Sequence, residues 1–252
     1  MAGGGVPFDH VADSYEQTRG GVDRGRRIAA PMQTFLAPAS LVLEIGVGTG
    51  AVAAAVEELG HRVIGLDLSS PMLAHAALRM PGRVVRGDAC SLPFATASVD
   101  AVAAVWLLHL VTDFDALVRE VRRVLVPGGR WFVASSTPDI EPNDLTRVAY
   151  RFSSQLGRGW DRAEHLAPRL QELGFDLVDD VVCEPYEMEE TPNQRAESLE
   201  RGLWSGLWDL DDATWAEWVQ PVIDDLRALP QPDRLRTCVH RHHISVYEVG
   251  CD

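Results

Sequence analysis

Residues 41–50 read Leu41-Val42-Leu43-Glu44-Ile45-Gly46-Val47-Gly48-Thr49-Gly50. Leu41–Ile45 is a short apolar run broken by one acid, the pattern of a buried strand. Gly46, Gly48 and Gly50 follow at alternate positions, where absent side chains permit a tight turn and close approach of the backbone to a ligand. The Ala-rich stretch from Ala51 to Leu59, ended by Gly60, reads as a helix whose first N–H groups and positive dipole end face that turn. Strand, glycine turn and helix together open an α/β domain.

Outward from this unit the same alternation continues. Arg62–Leu66 reads as a second strand, and Ser69-Ser70-Pro71 supplies cap chemistry for a helix through Arg79. Pro81-Gly82 marks a turn before a short strand, Val84–Arg86. Val99–Val105 is a fourth strand and Phe114–Leu125 an amphipathic helix. Pro127-Gly128-Gly129 reads as a sharp stop before a fifth strand, Trp131–Ser135. Such β-α-β-α spacing predicts a parallel sheet with helices on both faces, with ligands at the carboxyl ends of the strands. Asp161–Leu173 is expected as a helix and Phe175–Cys183 as a strand. Thr191–Pro230 is expected as a helical insertion carrying four of the seven tryptophans. Cys238–Val249 closes the pattern as a last strand. The expected division is therefore a main domain of 1–190 and 236–252, with a helical cap over 191–235. On the N-terminal side, Phe8 to Arg27 carries a short helical pattern broken by Gly20 and Gly21.

Composition narrows the functions. The 252 residues carry a formal net charge of −14, which disfavours a phosphate backbone as partner. All 23 basic residues are arginine, which excludes a phosphate-loop lysine, a Schiff-base lysine and a lysine general base. No apolar run reaches the ~20 residues of a membrane span, and the opening residues lack a signal-peptide pattern. A cytoplasmic protein is the expectation. Cys90, Cys183, Cys238 and Cys251 fit no zinc spacing, so reduced thiols are expected.

The glycines alone leave two cofactors open. Gly46, Gly48 and Ala51 also satisfy the dinucleotide pattern, and Asp67 lies where a ribose-binding acid is expected. Glu44 separates the two. A carboxylate two residues before the first glycine would repel a pyrophosphate but can hold an ammonium. Asp67, ending the second strand, can accept from both ribose hydroxyls, and Asp88-Ala89, after the third, can meet an adenine edge. Three acids at successive strand ends therefore fit S-adenosylmethionine better than a nicotinamide dinucleotide.

LEIGVGTG, VIGLDLS, GDACSLPFATASVDAVAAVWLLHLV and RVLVPGGR together resemble a class I S-adenosylmethionine-dependent methyltransferase. The resemblance is to the broad group that includes the quinone-biosynthesis and bacterial small-molecule methyltransferases. It spans about Phe8 to Ser135, and it implies a Rossmann-like, mostly parallel seven-stranded sheet with an antiparallel last strand. It also implies that Glu44, Gly46, Gly48 and Gly50 surround the methionine part, that Asp67 with Leu68 meets the ribose, and that Asp88 with Ala89 meets the adenine. Tyr15 and Arg19 match positions that close over the cofactor in the family. The implied activity is methyl transfer to a small organic acceptor, with a secondary metabolite as one class. The alternatives are a cofactor-binding protein that transfers no methyl group and a nicotinamide-dependent oxidoreductase.

For such transfer, positioning supplies much of the rate, and a base can assist. His109, after the fourth strand, is the candidate base; a turn cap is the competing reading. Trp106 is a candidate substrate contact or packing residue. Trp204 and Trp208 are spaced i, i+4, so a helix would place them on one face, where they would line an acceptor pocket or pack the cap. His240-Arg241-His242-His243 reads as edge-strand histidines rather than a metal site, and Glu187–Glu190 as a solvated loop face. Oligomeric state is not encoded in any of these signals.

Overall fold

A computed structural model describes residues 9, 21–137, 142–151, 161–208 and 210–250. Two compact units divide the chain. One comprises 1–135, 160–183 and 242–252, the other 136–159 and 184–241. The expected insertion, 191–235, falls within the second unit, which also takes in flanking chain on both sides and 136–159.

The first unit is built on β1 (Leu41–Ile45), β2 (Arg62–Asp67), β3 (Val84–Arg86), β4 (Val99–Val105), β5 (Leu125–Thr137) and β6 (Phe175–Val182). With β8 (Arg236–Val249) they lie in the order β3-β2-β1-β4-β5-β8-β6. β1 pairs in parallel with β2 and β4, β2 with β3, and β4 with β5, while β8 is antiparallel to β6. This is the mostly parallel sheet with an antiparallel last strand that the sequence predicts.

Alternation along the strands sorts side chains to two faces. Val42, Ala101, Ala103, Phe132 and Ile244 pack with residues of α1 (Gly21–Met32), α2 (Ala51–Glu58) and α3 (Ser70–Arg79). Leu43, Ile45, Val102, Trp131 and Tyr247 pack with α4 (Phe114–Val124). The stripe Leu117, Val118, Val121 and Val124 of α4 is fully buried, and Asp113 caps it by accepting from the Ala116 N–H. Ser69 caps α3 by accepting from the Met72 N–H. Pro127-Gly128-Gly129 does not stop the strand. β5 begins at Leu125, and the register against β4 jumps from Val99↔Leu125 to Ala101↔Arg130. The turn residues are absorbed as a bulge.

In the second unit, α5 (Asp144–Ala149), α7 (Pro192–Glu200) and α8 (Gln220–Ala228) enclose a separate core around Leu145, Ala196, Leu199 and Ile223; the remaining helix of the first unit, α6, is Ala163–Glu172. Glu187–Glu190 is not a loop. It belongs to β7 (Tyr186–Glu190), antiparallel to the first half of β8. Glu187 and Glu189 are exposed, but Glu190 takes a close ion pair from the buried Arg195. Alternation of charged and large side chains was the missed strand signal. Trp204 and Trp208 do not share a helix face, because they flank a single 3-10 turn, Ser205–Leu207. Trp204 packs 6.1 Å from Tyr150, and the Trp208 indole donates to the Gly202 carbonyl at 2.5 Å.

Candidate cofactor site

The carboxyl end of β1 places the site. Glu44 lies between Gly65 of β2 and Ala103 of β4, on the sheet face covered by α1 and α2. It is 3% exposed, and its Oε2 has no hydrogen-bond partner. Burial pushes its pKa up to about 8, against the opposing pull of the Ala53 backbone N–H and with a small addition from the Asp67 charge. An acid so buried, with one oxygen unsatisfied, is costly on its own. A bound cation at that oxygen relieves the cost, and an ammonium group fits this requirement.

In front of Glu44 runs the glycine turn. Gly48 has φ +54, and a Cβ built there meets nothing within 4 Å. The backbone therefore needs glycine for its conformation, and the absent side chain leaves open space over the turn. Glu44, Gly46, Gly48, Thr49 and Ala51 line an open cleft that continues to Arg24 of α1 and Trp106 after β4. The helix α2 begins at Ala51, so its N-terminal end faces the same space.

Asp67 closes the turn from the side. Its two carboxylate oxygens accept from the Gly48 N–H at 2.8 Å and the Ser69 N–H at 2.9 Å. Burial raises its pKa, and these N–H groups oppose the rise. Leu68 follows, 48% exposed, at the surface. Asp88 is exposed and accepts from the Cys90 N–H at 2.8 Å, while Ala89 is buried. The acids predicted from three strand ends thus stand after, or at the end of, three adjacent strands, β3, β2 and β1.

Trp106 borders the cleft with an unusual backbone, φ +50. The Arg24 guanidinium lies over its ring, 3.3 Å from the centroid, and the His242 ring stands 5.0 Å away at 65°. His109 is exposed on the 3-10 turn Leu108–Leu110 and is not among the residues lining the cleft. Tyr15 and Arg19 lie outside the described residues. Trp204 and Trp208 belong to the second unit. No three metal-ligating side chains gather among the described residues. Cys90, Cys183 and Cys238 form no disulfide among the described residues, and burial pushes Cys183 up to about 11. Nothing in the segment GGVDRGRR singled out Arg24; among the described residues α1 begins at Gly21, with φ +50.

A methyltransferase-domain family model matches residues 43–133. A demethylmenaquinone methyltransferase of Mycolicibacterium gilvum is 39% identical over 195 residues, covering 68% of this chain and 85% of that protein. Its counterpart in Corynebacterium efficiens is 38% identical over 192 residues, covering 67% and 83%. Among solved structures, phosphoethanolamine N-methyltransferase 2 of Haemonchus contortus, in complex with S-adenosyl-L-methionine, aligns with a TM-score of 0.56 at 21% identity. That alignment covers 98% of this chain and 61% of the other. With the unpartnered carboxylate and the glycine cradle, these likenesses agree on one cofactor, S-adenosylmethionine. The chain belongs to the class I S-adenosylmethionine-dependent methyltransferases, in the group that includes the quinone-biosynthesis enzymes.

Proposed function

We propose that the cleft holds the cofactor with Glu44 at its ammonium group, and that the methyl group passes to a small ring acceptor of the quinol type. The observation that carries the first part is the buried Glu44 Oε2 without a partner. The acceptor class is supported by the names of the two actinobacterial relatives. Gly46, Gly48 and Gly50 form the floor of the methionine part, Asp67 and Leu68 take the ribose, and Asp88 and Ala89 take the adenine. Tyr15 and Arg19 are proposed to close over it. When bound, the cofactor supplies an electrophilic methyl on sulfonium. The chain's own task is to hold an acceptor nucleophile in line with that methyl and keep water out. A bound cofactor would supply the methyl and leave as the neutral thioether, and the acceptor's displaced proton would have to pass to a base or to water.

The direct test is incubation with methyl-labelled cofactor and a reduced demethylmenaquinone. Label in the quinone is expected. Tight cofactor binding with no label in this or any extract-derived product would favour a binding protein on the same fold. No helix among the described residues is long and apolar enough to cross a membrane. In the assay, an acceptor with a lipid tail is presented in detergent or vesicles.

Two variants test the proposed roles. Asp67→Ala removes the acceptor of the Gly48 and Ser69 N–H groups and the proposed ribose contact. It should weaken cofactor binding by about 1–3 kcal/mol, read by calorimetry; an unchanged affinity removes Asp67 from the ribose. If His109 takes the acceptor's proton, His109→Ala should slow transfer by ~10²–10⁴-fold with cofactor affinity retained. An unchanged rate at saturation leaves positioning as the source of catalysis. Trp204 and Trp208 are proposed to shape acceptor choice: their leucine variants should change acceptor KM or preference while cofactor affinity persists. Early melting with normal kinetics would instead assign them to packing of the second unit.

A further inference from the structure

We propose that the Glu120–Arg123 pair of α4 braces the turn that carries Asp88, and that this brace lets the site tell adenine from a base without its amino group. The proposal rests on the reading of Asp88 as the residue that meets the adenine edge. Neither member of the pair lines the cleft beside the glycine turn, so both act as positioning residues.

The turn after β3 is the first argument. Asp88 is exposed, and its Oδ1 accepts from the Cys90 N–H at 2.8 Å. The Ser91 N–H donates to the Asp88 carbonyl at 3.0 Å, which closes the turn. A Cβ built on Gly87 would come 3.6 Å from the Pro93 ring, so the chain entering the turn and the chain leaving it pass close together. Ala89 and Leu92 are buried in the same core cluster as Leu117, Val118 and Val121 of α4. An exposed acid on so short a turn discriminates between ligand groups only as well as its backbone is held.

What holds it comes from α4. The Leu92 N–H donates to Glu120 Oε2 at 2.7 Å, and the Leu92 carbonyl accepts from Arg123 Nη2 at 2.9 Å. Arg123 Nη1 donates to the Phe94 carbonyl at 2.7 Å. The two side chains stand about one helical turn apart on the same helix. Arg123 Nε and Nη2 donate to the two oxygens of Glu120, at 2.7 Å each. Two-point contact of this kind fixes the plane of the guanidinium, and hydrogen bonding from Arg123 holds the Glu120 carboxyl below the usual carboxylate range. Farther along, the Ala97 N–H donates to the Arg123 carbonyl at 2.9 Å, so the same part of α4 also steers the chain toward β4.

The third argument is where the pair spends its hydrogen bonds. An exposed ion pair that only supported its own helix would contribute little. The Arg123 and Glu120 side chains are instead 32% and 20% exposed, and both reach beyond the helix to Leu92. A buried backbone N–H and carbonyl must find partners, and Leu92 finds both in this one pair. The arrangement fits a brace on the Asp88 turn better than a contact local to α4.

The test is equilibrium binding of S-adenosylhomocysteine and S-inosylhomocysteine, whose hypoxanthine carries an oxygen in place of the adenine amino group. The wild-type protein should prefer the adenine ligand by about 10-fold or more, the range of a charge-assisted hydrogen bond. Asp88→Ala should remove most of that preference. Glu120→Ala and Arg123→Ala should each cut it by about threefold or more, and in the Asp88→Ala background they should change it no further. Purely structural damage weakens both ligands alike and leaves their ratio untouched, so an undiminished ratio in both alanine variants overturns the proposal. Should those variants fail to fold, Glu120→Gln and Arg123→Lys decide, since each keeps part of the brace. Their ratios should fall between those of the wild type and Asp88→Ala, and an undiminished ratio in both overturns the proposal equally. A wild-type protein that binds S-adenosylhomocysteine without preference, or a preference that survives Asp88→Ala, would sink the reading of Asp88 and the brace with it. Absence of S-adenosylhomocysteine binding by the wild-type protein would remove the cofactor site itself.

Discussion

Glu44→Gln should weaken S-adenosylmethionine binding by about 100-fold or more and, at the same time, raise the thermal stability of the ligand-free protein above pH 8. Both effects come from one buried carboxylate with an unpartnered oxygen. Losing one member of a buried charge pair costs about 3–5 kcal/mol, which sets the loss in affinity. The gain in stability follows from the raised pKa. Burial moves Glu44 from 4.5 to about 8, so between these values the folded protein holds a proton that the unfolded chain has released. Stability therefore falls as pH rises from the unfolded value through about 8 and levels off beyond it, a cost on the order of a few kcal/mol that glutamine avoids. Melting curves from pH 5 to 9 should show this slope in the wild-type protein and its reduction in Glu44→Gln. Cofactor affinity should rise toward pH 8, as less proton must be released from Glu44. It should fall again above that, as a free α-ammonium of ordinary pKa near 8 is lost. A pH-independent affinity, or a variant that binds as the wild type does, would remove Glu44 from the ammonium.

Gly25→Ala should be the most damaging single-methyl change in the cofactor unit. The added Cβ would sit 2.3 Å from the Ala51 oxygen and 2.7 Å from its carbonyl carbon. Both are backbone atoms, so the clash is relieved only by moving α1 away from α2. Overpacking of this kind costs about 1–3 kcal/mol, and more where the backbone must shift. A loss of about 3 kcal/mol corresponds to a melting decrease of roughly 6–12 °C for a protein of this size. Because Arg24 moves with its neighbour, cofactor affinity should fall in the same variant. Gly82→Ala is a contrasting variant: unlike Gly25, Gly82 has a positive φ, +77, and a Cβ there meets nothing within 4 Å, so it should show backbone strain without a clash. Equal stability of the Gly25 and Gly82 variants would mean that α1 yields easily.

The strands around the glycine turn were legible because each is short, apolar and bounded by turn residues; β1, β3 and β4 begin and end where the pattern places them. The cap chemistry of Ser69-Ser70-Pro71 also located a helix start, where the Ser69 side chain accepts from the Met72 N–H. Signals that depend on tertiary pairing were misread. Pro127-Gly128-Gly129 looks like punctuation, but pairing with β4 carries the strand through it as a bulge. Glu187–Glu190 looks like a solvated loop, and only the antiparallel partner Arg236–His240 makes it a strand. The i, i+4 spacing of Trp204 and Trp208 suggested a helix that the backbone replaces with one 3-10 turn. Glu44, the acid that lines the cleft, was readable from its place near the end of the first strand. Arg24 was not, because nothing in GGVDRGRR distinguishes one arginine from its neighbours until α1 is laid beside Trp106.

The second unit is threaded from two separate stretches of chain, 136–159 and 184–241. None of Glu44, Asp67, Asp88, Arg24, Trp106 or the glycine turn lies in either stretch. Substitutions, insertions and recombination within these two windows can accumulate in a lineage without altering a codon of the cofactor cleft. Descendants of such a gene are therefore free to diverge in one unit while inheriting the methyl-donor chemistry of the other unchanged.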